Sequence, residues 1–424
     1  MDKKTIETYL SILNEELVPA MGCTEPIAIA YVAALARKTL GVMPSKCKVL
    51  CSGNIIKNAM GVVVPNSGGR RGIEVAATLG IIAGDSDKGL QVIEGVKPED
   101  IQTMNQLLSS RFCECEIVEG VENLFIEVRV SDNEGHYATA QVKDKHTNIT
   151  LLQKDSEVLI SNKGAGENNI NKADRSLLSV KSILEFADKV ALSQIEPCFS
   201  QQIKYNSSIA EEGLNHDFGA SVGSTIIKKD EHSIRNRAIA LAAAGSDARM
   251  GGCSLPVVIN SGSGNQGITV SVPVIEYARA FNISEEKLYR ALAVSNLISI
   301  HQKRYIGSLS AYCGATSAAC GAVSGIAYML GDNYEVISKL ITNMISTVGG
   351  MVCDGAKSSC ASKIATALEC AFLSWDMAKL DRTFQPGEGL VKNDVEETIK
   401  SVGRMGKEGM HSTDLEILHI MLDK

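Results

Sequence analysis

A chain of 424 residues, 45% of them hydrophobic, can bury a large core without disulfides, and its length points to more than one domain. The net charge of -7, with lysines and arginines scattered rather than clustered, excludes a nucleic-acid backbone as partner. The opening residues alternate charge with apolar side chains and lack the apolar core and cleavage site of a signal peptide, so a cytoplasmic protein is expected.

The first forty residues read as two helices joined by the segment Val18 to Pro26. Pro26 suits a first helical turn and Thr24 a cap, which puts Cys23 just before a helix N-terminus, a position that lowers a thiol pKa. Strand-like segments follow at Lys48–Cys51, Cys113–Val118, Leu124–Val130, Tyr137–Val142 and Asn148–Leu152, the last of them forming an antiparallel meander. Helices at Pro65–Ala83 and Pro98–Ser109 interrupt the strands. Ser161 to Asp174, polar and glycine-bearing, reads as an exit linker. From Ser176 onward the periodicity is helical, alanine-rich and broken by glycine loops. The expected fold class is α+β: a mostly helical bundle domain with an inserted smaller α/β domain. In that division residues 1–44 are N-terminal helices of the helical domain, 45–175 the insert and 176–424 the helical catalytic domain. Tyr305 to Gly331 has no charge and the length of a bilayer span, but its Gly, Ala, Ser, Thr and Cys content indicates a helix buried against other backbone. A membrane partner is not expected.

Twelve cysteines in a reducing compartment are either core residues or metal ligands. Cys313, Cys353 and Cys360 form one pattern, with thirty-nine residues between the first two and six between the second two. The short gap holds Gly355 and Lys357, so the chain there can loop around a cluster while Lys357 balances negative charge. Three thiolates are a ligand set for an iron–sulfur cluster with one iron open; three buried core cysteines are the competing reading. No tight Cys-x-x-Cys or histidine pair completes a zinc site, and Cys320, seven residues after Cys313, is a substitute ligand. The loop Asn260-Ser261-Gly262-Ser263-Gly264-Asn265-Gln266-Gly267 can cradle an anion on backbone N–H groups at a helix start, or is a plain structural turn. A second small-residue loop carries Asn66 and Ser67, and Asn54 follows a strand. His301, twelve residues before Cys313, is a candidate proton-transfer residue.

The motifs Gly22-Cys23-Thr24-Glu25-Pro26, Asn260 to Gly267, Cys313-Gly314 and Cys353-Asp354-Gly355-Ala356-Lys357-Ser358-Ser359-Cys360-Ala361 together resemble the L-cysteine desulfidase family. That family is related to the α-chain domain of the iron–sulfur L-serine dehydratases. The resemblance covers essentially the whole chain. It implies a PLP-independent lyase with a [4Fe-4S] cluster on Cys313, Cys353 and Cys360, converting L-cysteine to pyruvate, ammonia and hydrogen sulfide, or L-serine to the same keto acid with loss of water. Cys23, His301 and Lys357 are then the candidate catalytic residues. Asn54, Asn66, Ser67 and Asn260, Ser261, Gly262, Ser263, Gly264 and Asn265 are the candidates for holding the small amino-acid substrate. Cys23 is either the Cα base or itself an iron ligand, in which case Cys360 is the one displaced. A non-catalytic protein that binds a small acid is the rival of another class, and nothing in composition or charge opposes a symmetric homodimer.

Overall fold

A computed structural model describes residues 1–162, 173–307 and 309–422. In chain order the elements are α1 (Lys3–Glu16), β1 (Pro19–Met21), α2 (Thr24–Leu40), β2 (Lys46–Cys51), α3 (Gly53–Ala59), α4 (Ile73–Ala83), α5 (Pro98–Ser109), β3 (Cys113–Ile117), β4 (Phe125–Ser131), β5 (Tyr137–Lys143), β6 (Ile149–Lys154) and β7 (Glu157–Ser161). The helical part comes next: α6 (Val180–Lys189), α7 (Leu192–Asn215), α8 (Val222–Ile227), α9 (Ile234–Met250), β8 (Pro256–Val258), α10 (Gly264–Ala280), α11 (Glu285–Ile306), α12 (Gly314–Met329), α13 (Tyr334–Val348), α14 (Ser359–Lys379), α15 (Val395–Arg404) and α16 (His411–Met421). The architecture is α+β, as the patterning predicts.

The main sheet has the order β3-β2-β4-β5-β6-β7, with β2 and β3 parallel and the other neighbours antiparallel. Strands β4 and β5 bury nearly every residue on one face, and α2, apolar all round, lies across them. Helix α4 packs on α2 so tightly that a Cβ on Gly80 would stand 2.2 Å from the Ala30 carbonyl oxygen. Thus α2 is joined to the sheet, whereas α1 packs on α7 of the helical part.

Local structure departs from the sequence reading at two places. The expected helix from Pro65 begins only at Ile73, because residues 65–72 form a compact loop with Asn66, Gly68, Gly69 and Gly72 at positive φ, closed by Val64 N–H to the Arg70 carbonyl at 2.9 Å. The uncharged stretch from Tyr305 is not one helix, since α11 ends at Ile306 and α12 starts at Gly314. Among the described residues no helix is long and apolar enough to cross a membrane. Residues Lys163 to Glu167 of the expected exit linker lie outside the described residues.

A second, much smaller sheet joins the two parts of the fold. Strand β1, too short to carry a periodic signal, pairs antiparallel with β8, Pro19 facing Val258, and Ile259 N–H donates to the Val18 carbonyl at 3.0 Å. This pairing sets the turn before α2 beside the loop before α10. The buried Asn206 of α7 locks the junction: its Oδ1 accepts from Val258 N–H at 2.8 Å and its amide donates to the Gly267 carbonyl at 3.0 Å. Gly267 itself lies under β8, where a Cβ would come within 2.0 Å of the Val258 carbonyl oxygen. We expect Gly267→Ala to destabilise the fold by about 3 kcal/mol, the upper end for an overpacked core, measured as a shift in the urea midpoint at unchanged slope; a shift below a third of that would show that α10 and β8 can part.

Candidate active site

The β1–β8 pairing, the ends of α9 and α11 and the loops before α12 and α14 enclose a cavity of about 500 Å³. Cys313 and Cys353 share one wall. They are brought together by backbone pairing across a gap of forty positions: Cys313 N–H donates to the Met351 carbonyl at 2.8 Å, Cys353 N–H to that of Ala311 at 2.7 Å, and Tyr312 bridges Val352. The Cys313 thiol donates to Cys353, and with Lys57 and Lys363 nearby this outweighs burial and lowers Cys353 to about 6, while Cys313 is pushed well up. Of the pair, Cys353 is therefore the one that favours the thiolate.

The turn after Cys353 wraps over α3. Gly355 has φ +97°, and a Cβ there would meet the Lys57 carbonyl oxygen at 2.3 Å, so only glycine permits this approach. Lys57, almost fully buried, donates to the Cys353 carbonyl at 3.4 Å and pairs with Asp414 of α16. Cys360, in the first turn of α14, also lines the cavity, its pKa raised by burial. It packs with Cys23, Val62 and Met250.

Cys23, which also lines the cavity, occupies the N-cap position of α2 without making a side-chain cap. The lowered thiol pKa expected at a helix start does not arise. Burial and the adjacent Glu25 carboxylate hold Cys23 well above its ordinary value, and the thiol donates to Glu25 Oε2 at 3.0 Å. Thr24, expected as the cap, instead donates its hydroxyl to the Gly262 carbonyl at 3.0 Å. Burial alone would raise Glu25, but His146, the Cys23 thiol and Arg249 outweigh it and hold the carboxyl at about 2. His146, from the β5–β6 hairpin, places Nε2 3.8 Å from Glu25 Oε1, beyond hydrogen-bond reach, and that nitrogen is buried without a partner. The sheet unit thus supplies a side chain to a cavity otherwise built largely on helices.

Ser261, Gly262, Ser263 and Asn265 line the cavity, with Ser261 and Gly262 at positive φ and α10 starting at Gly264. Asn260 is turned away into a buried network with Asn296, its amide 2.9 Å from Asn296 Oδ1. Asn66 donates to the Ile93 carbonyl and Ser67 to that of Arg70 in its own loop, and Asn54 sits in α3; none of the three lines the cavity. His301 is fully buried outside it, its Nε2 2.7 Å from Glu396 Oε2. Lys357 stands 3.8 Å from Asp354 and also falls outside the lining, as does the fully buried Cys320. Residues that sequence reading passed over are His146, Arg249, Lys57, Asp414 and Lys303, which is buried near the end of α11 and lines the cavity, and Glu25 was noted only within its motif. The only charges in the apolar stretch Ala238 to Met250, Asp247 and Arg249 at its end, were the available signal for Arg249; His146 and Asp414 carried none.

All twelve cysteines are free. Among the described residues no three His, Cys, Asp or Glu side chains stand close enough to enclose a single metal ion. A four-iron cube spreads its thiolates wider than one ion does, and three cysteines lining one cavity, one of them with its pKa lowered beside Lys57 and Lys363, fit such a group.

The family model described as serine dehydratase alpha chain matches residues 87–419. The chain is 47% identical to a UPF0597 protein of Finegoldia magna over 99% of this chain and all of that one. It is 45% identical to a UPF0597 protein of Treponema denticola over 100% of this chain and 99% of the relative, and 48% identical to one of Lachnoclostridium phytofermentans over the full length of both. With a match that runs from before β3 into α16 and takes in Cys313, Cys353 and Cys360, the chain belongs to the serine dehydratase alpha-chain family.

Proposed function

We propose that this chain is a PLP-independent lyase that eliminates the β-heteroatom of a small L-amino acid, L-cysteine to pyruvate, ammonia and hydrogen sulfide, using a [4Fe-4S] cluster on Cys313, Cys353 and Cys360. The observation that carries the reading is the single cavity lined by these cysteines, by the Ser261 to Gln266 loop and by Cys23, Glu25 and His146. Family membership makes L-serine the second reading of the same site.

When bound, an iron–sulfur cluster with an open iron supplies a Lewis acid for the leaving sulfur or oxygen. The chain's own residues supply the rest. Backbone N–H groups at the start of α10 hold the substrate carboxylate and so fix Cα relative to the cysteine wall. His146 Nε2 takes the Cα proton, since Cys23 is kept as a thiol by Glu25.

Anaerobically prepared protein is tested for sulfide from L-cysteine and for pyruvate from L-serine; a colourless protein that releases neither sinks the reading and leaves a small-acid binder. His146→Gln is expected to lower kcat by about 10²- to 10⁴-fold with little change in KM or iron content. Unchanged kcat would return the proton transfer to another group.

A further inference from the structure

Arg249 closes α9 and is 2% exposed, yet among the described residues its guanidinium has no ion pair and no hydrogen bond, and Nε is buried without a partner. The other guanidinium groups at the cavity are engaged: Arg175 with Glu15 and Glu16, and Arg304 with the Arg175 carbonyl and Tyr305. Arg249 lies against the first turn of α10, where a Cβ on Gly264 would fall 2.3 Å from Nε and 2.9 Å from Cζ. The glycine is therefore what admits the guanidinium to a 17-residue helix's N-terminus. Buried charge without a counter-charge is strongly unfavourable, and a planar fork of five donors suits a carboxylate.

Of the carboxylates on the same cavity, Glu15 and Glu16 pair with Arg175 and Asp144 is half-buried, whereas Glu25 is buried. Arg249 influences it, and yet the two form no ion pair. Its Oε2 accepts from the Cys23 thiol, while among the described residues Oε1 has only His146, at 3.8 Å. Two buried opposite charges on one cavity, unpaired with each other, match the two charges of a free amino acid.

We propose that Arg249 and Glu25 are the poles of a clamp for a zwitterionic α-amino acid, the guanidinium and the α10 N-terminus taking the α-carboxylate and Glu25 the α-ammonium. The clamp rests on reading this cavity as an amino-acid lyase site, and it confines the substrate to free amino acids, excluding amides, peptides and N-acylated forms.

The test uses the anaerobically reconstituted full chain and ligands without a leaving group, so that binding is read apart from turnover. Calorimetry compares L-alanine with L-alaninamide, which lacks the carboxylate, and with propionate, which lacks the ammonium. Wild type should favour L-alanine over each by about 10- to 100-fold, the range for a charge-assisted contact. Arg249→Met should erase the preference over alaninamide and keep that over propionate; Glu25→Gln should do the reverse. Arg249→Lys, which keeps the charge and loses the fork, should fall between, and it serves if the methionine variant does not fold. Either variant retaining its wild-type preference overturns the clamp. If alanine selectivity follows this pattern while neither cysteine nor serine is consumed, the lyase reading fails and the clamp stands; if elimination proceeds and selectivity is unaltered in the variants, the clamp fails and the lyase reading stands.

Discussion

Cys353→Ser is expected to strip the protein of iron and bring turnover to background, with the fold intact. The residue is placed by its backbone, through the bond from Cys353 N–H to the Ala311 carbonyl and the bridge beside it, and serine keeps both. What serine cannot do is ionise. Cys353 is lowered to about 6 by the Cys313 thiol and the two nearby lysines, which favours the thiolate, whereas a hydroxyl stays protonated. Anaerobic protein should carry about four irons per chain and absorb near 400 nm, and the variant should do neither. The sign of the pH dependence follows from the depressed value: the thiolate is present above about 6 and lost as pH falls through it, so reconstitution of the wild type should decline below that pH. Cys320→Ser, a change in a buried cysteine outside the cavity, should leave iron content as it was. Equal iron in Cys353→Ser and wild type would remove the cluster from this site.

The parts of this molecule that sequence made visible are those decided within a few residues. Helix α5 spans Pro98–Ser109 as expected because its start is local, a proline in the first turn and Asp100 accepting from the Lys97 N–H at 2.8 Å. The strands from Phe125 to Lys154 follow turn residues and alternation, whereas β7 has a short apolar run, Val158-Leu159-Ile160, without alternation and lies mostly exposed at the sheet edge. The loop before α10 was legible as glycine and small polar residues before an apolar run. Its partner was not, since the three-residue strand β1 that fixes it is shorter than any period. The same limit hid the local electrostatics at Cys23. Helix-start position alone argues for a lowered pKa, but burial and Glu25 act more strongly, and burial is a property of the assembled fold. His146 reaches the cavity only because a hairpin of the sheet lies over the helical part, a contact between residues more than a hundred positions from Glu25 and Gly262.

Asp414 is the extreme case, and its removal should be felt at Cys353. Its carboxylate, from the last helix, pairs with Lys57, whose side chain is 2% exposed against 13% for Asp414. In Asp414→Ala the ammonium stays buried with only the Cys353 carbonyl to accept from it, an uncompensated charge expected to cost about 3–5 kcal/mol. Lys57→Met should cost less, because the carboxylate left behind retains some access to water. It also removes the cation facing the Cys353 thiol, so it should weaken iron binding more for its effect on stability than Asp414→Ala does. The double variant Lys57→Met with Asp414→Leu removes both charges and should recover most of the stability without recovering iron affinity, since an apolar pair of similar volume replaces a buried ion pair at little cost. Urea midpoints read the stability, and iron retained against a chelator reads the site. Asp414→Ala as stable as wild type, or a double variant that holds iron normally, would show that α16 and Lys57 play no part in supporting the turn that carries Cys353.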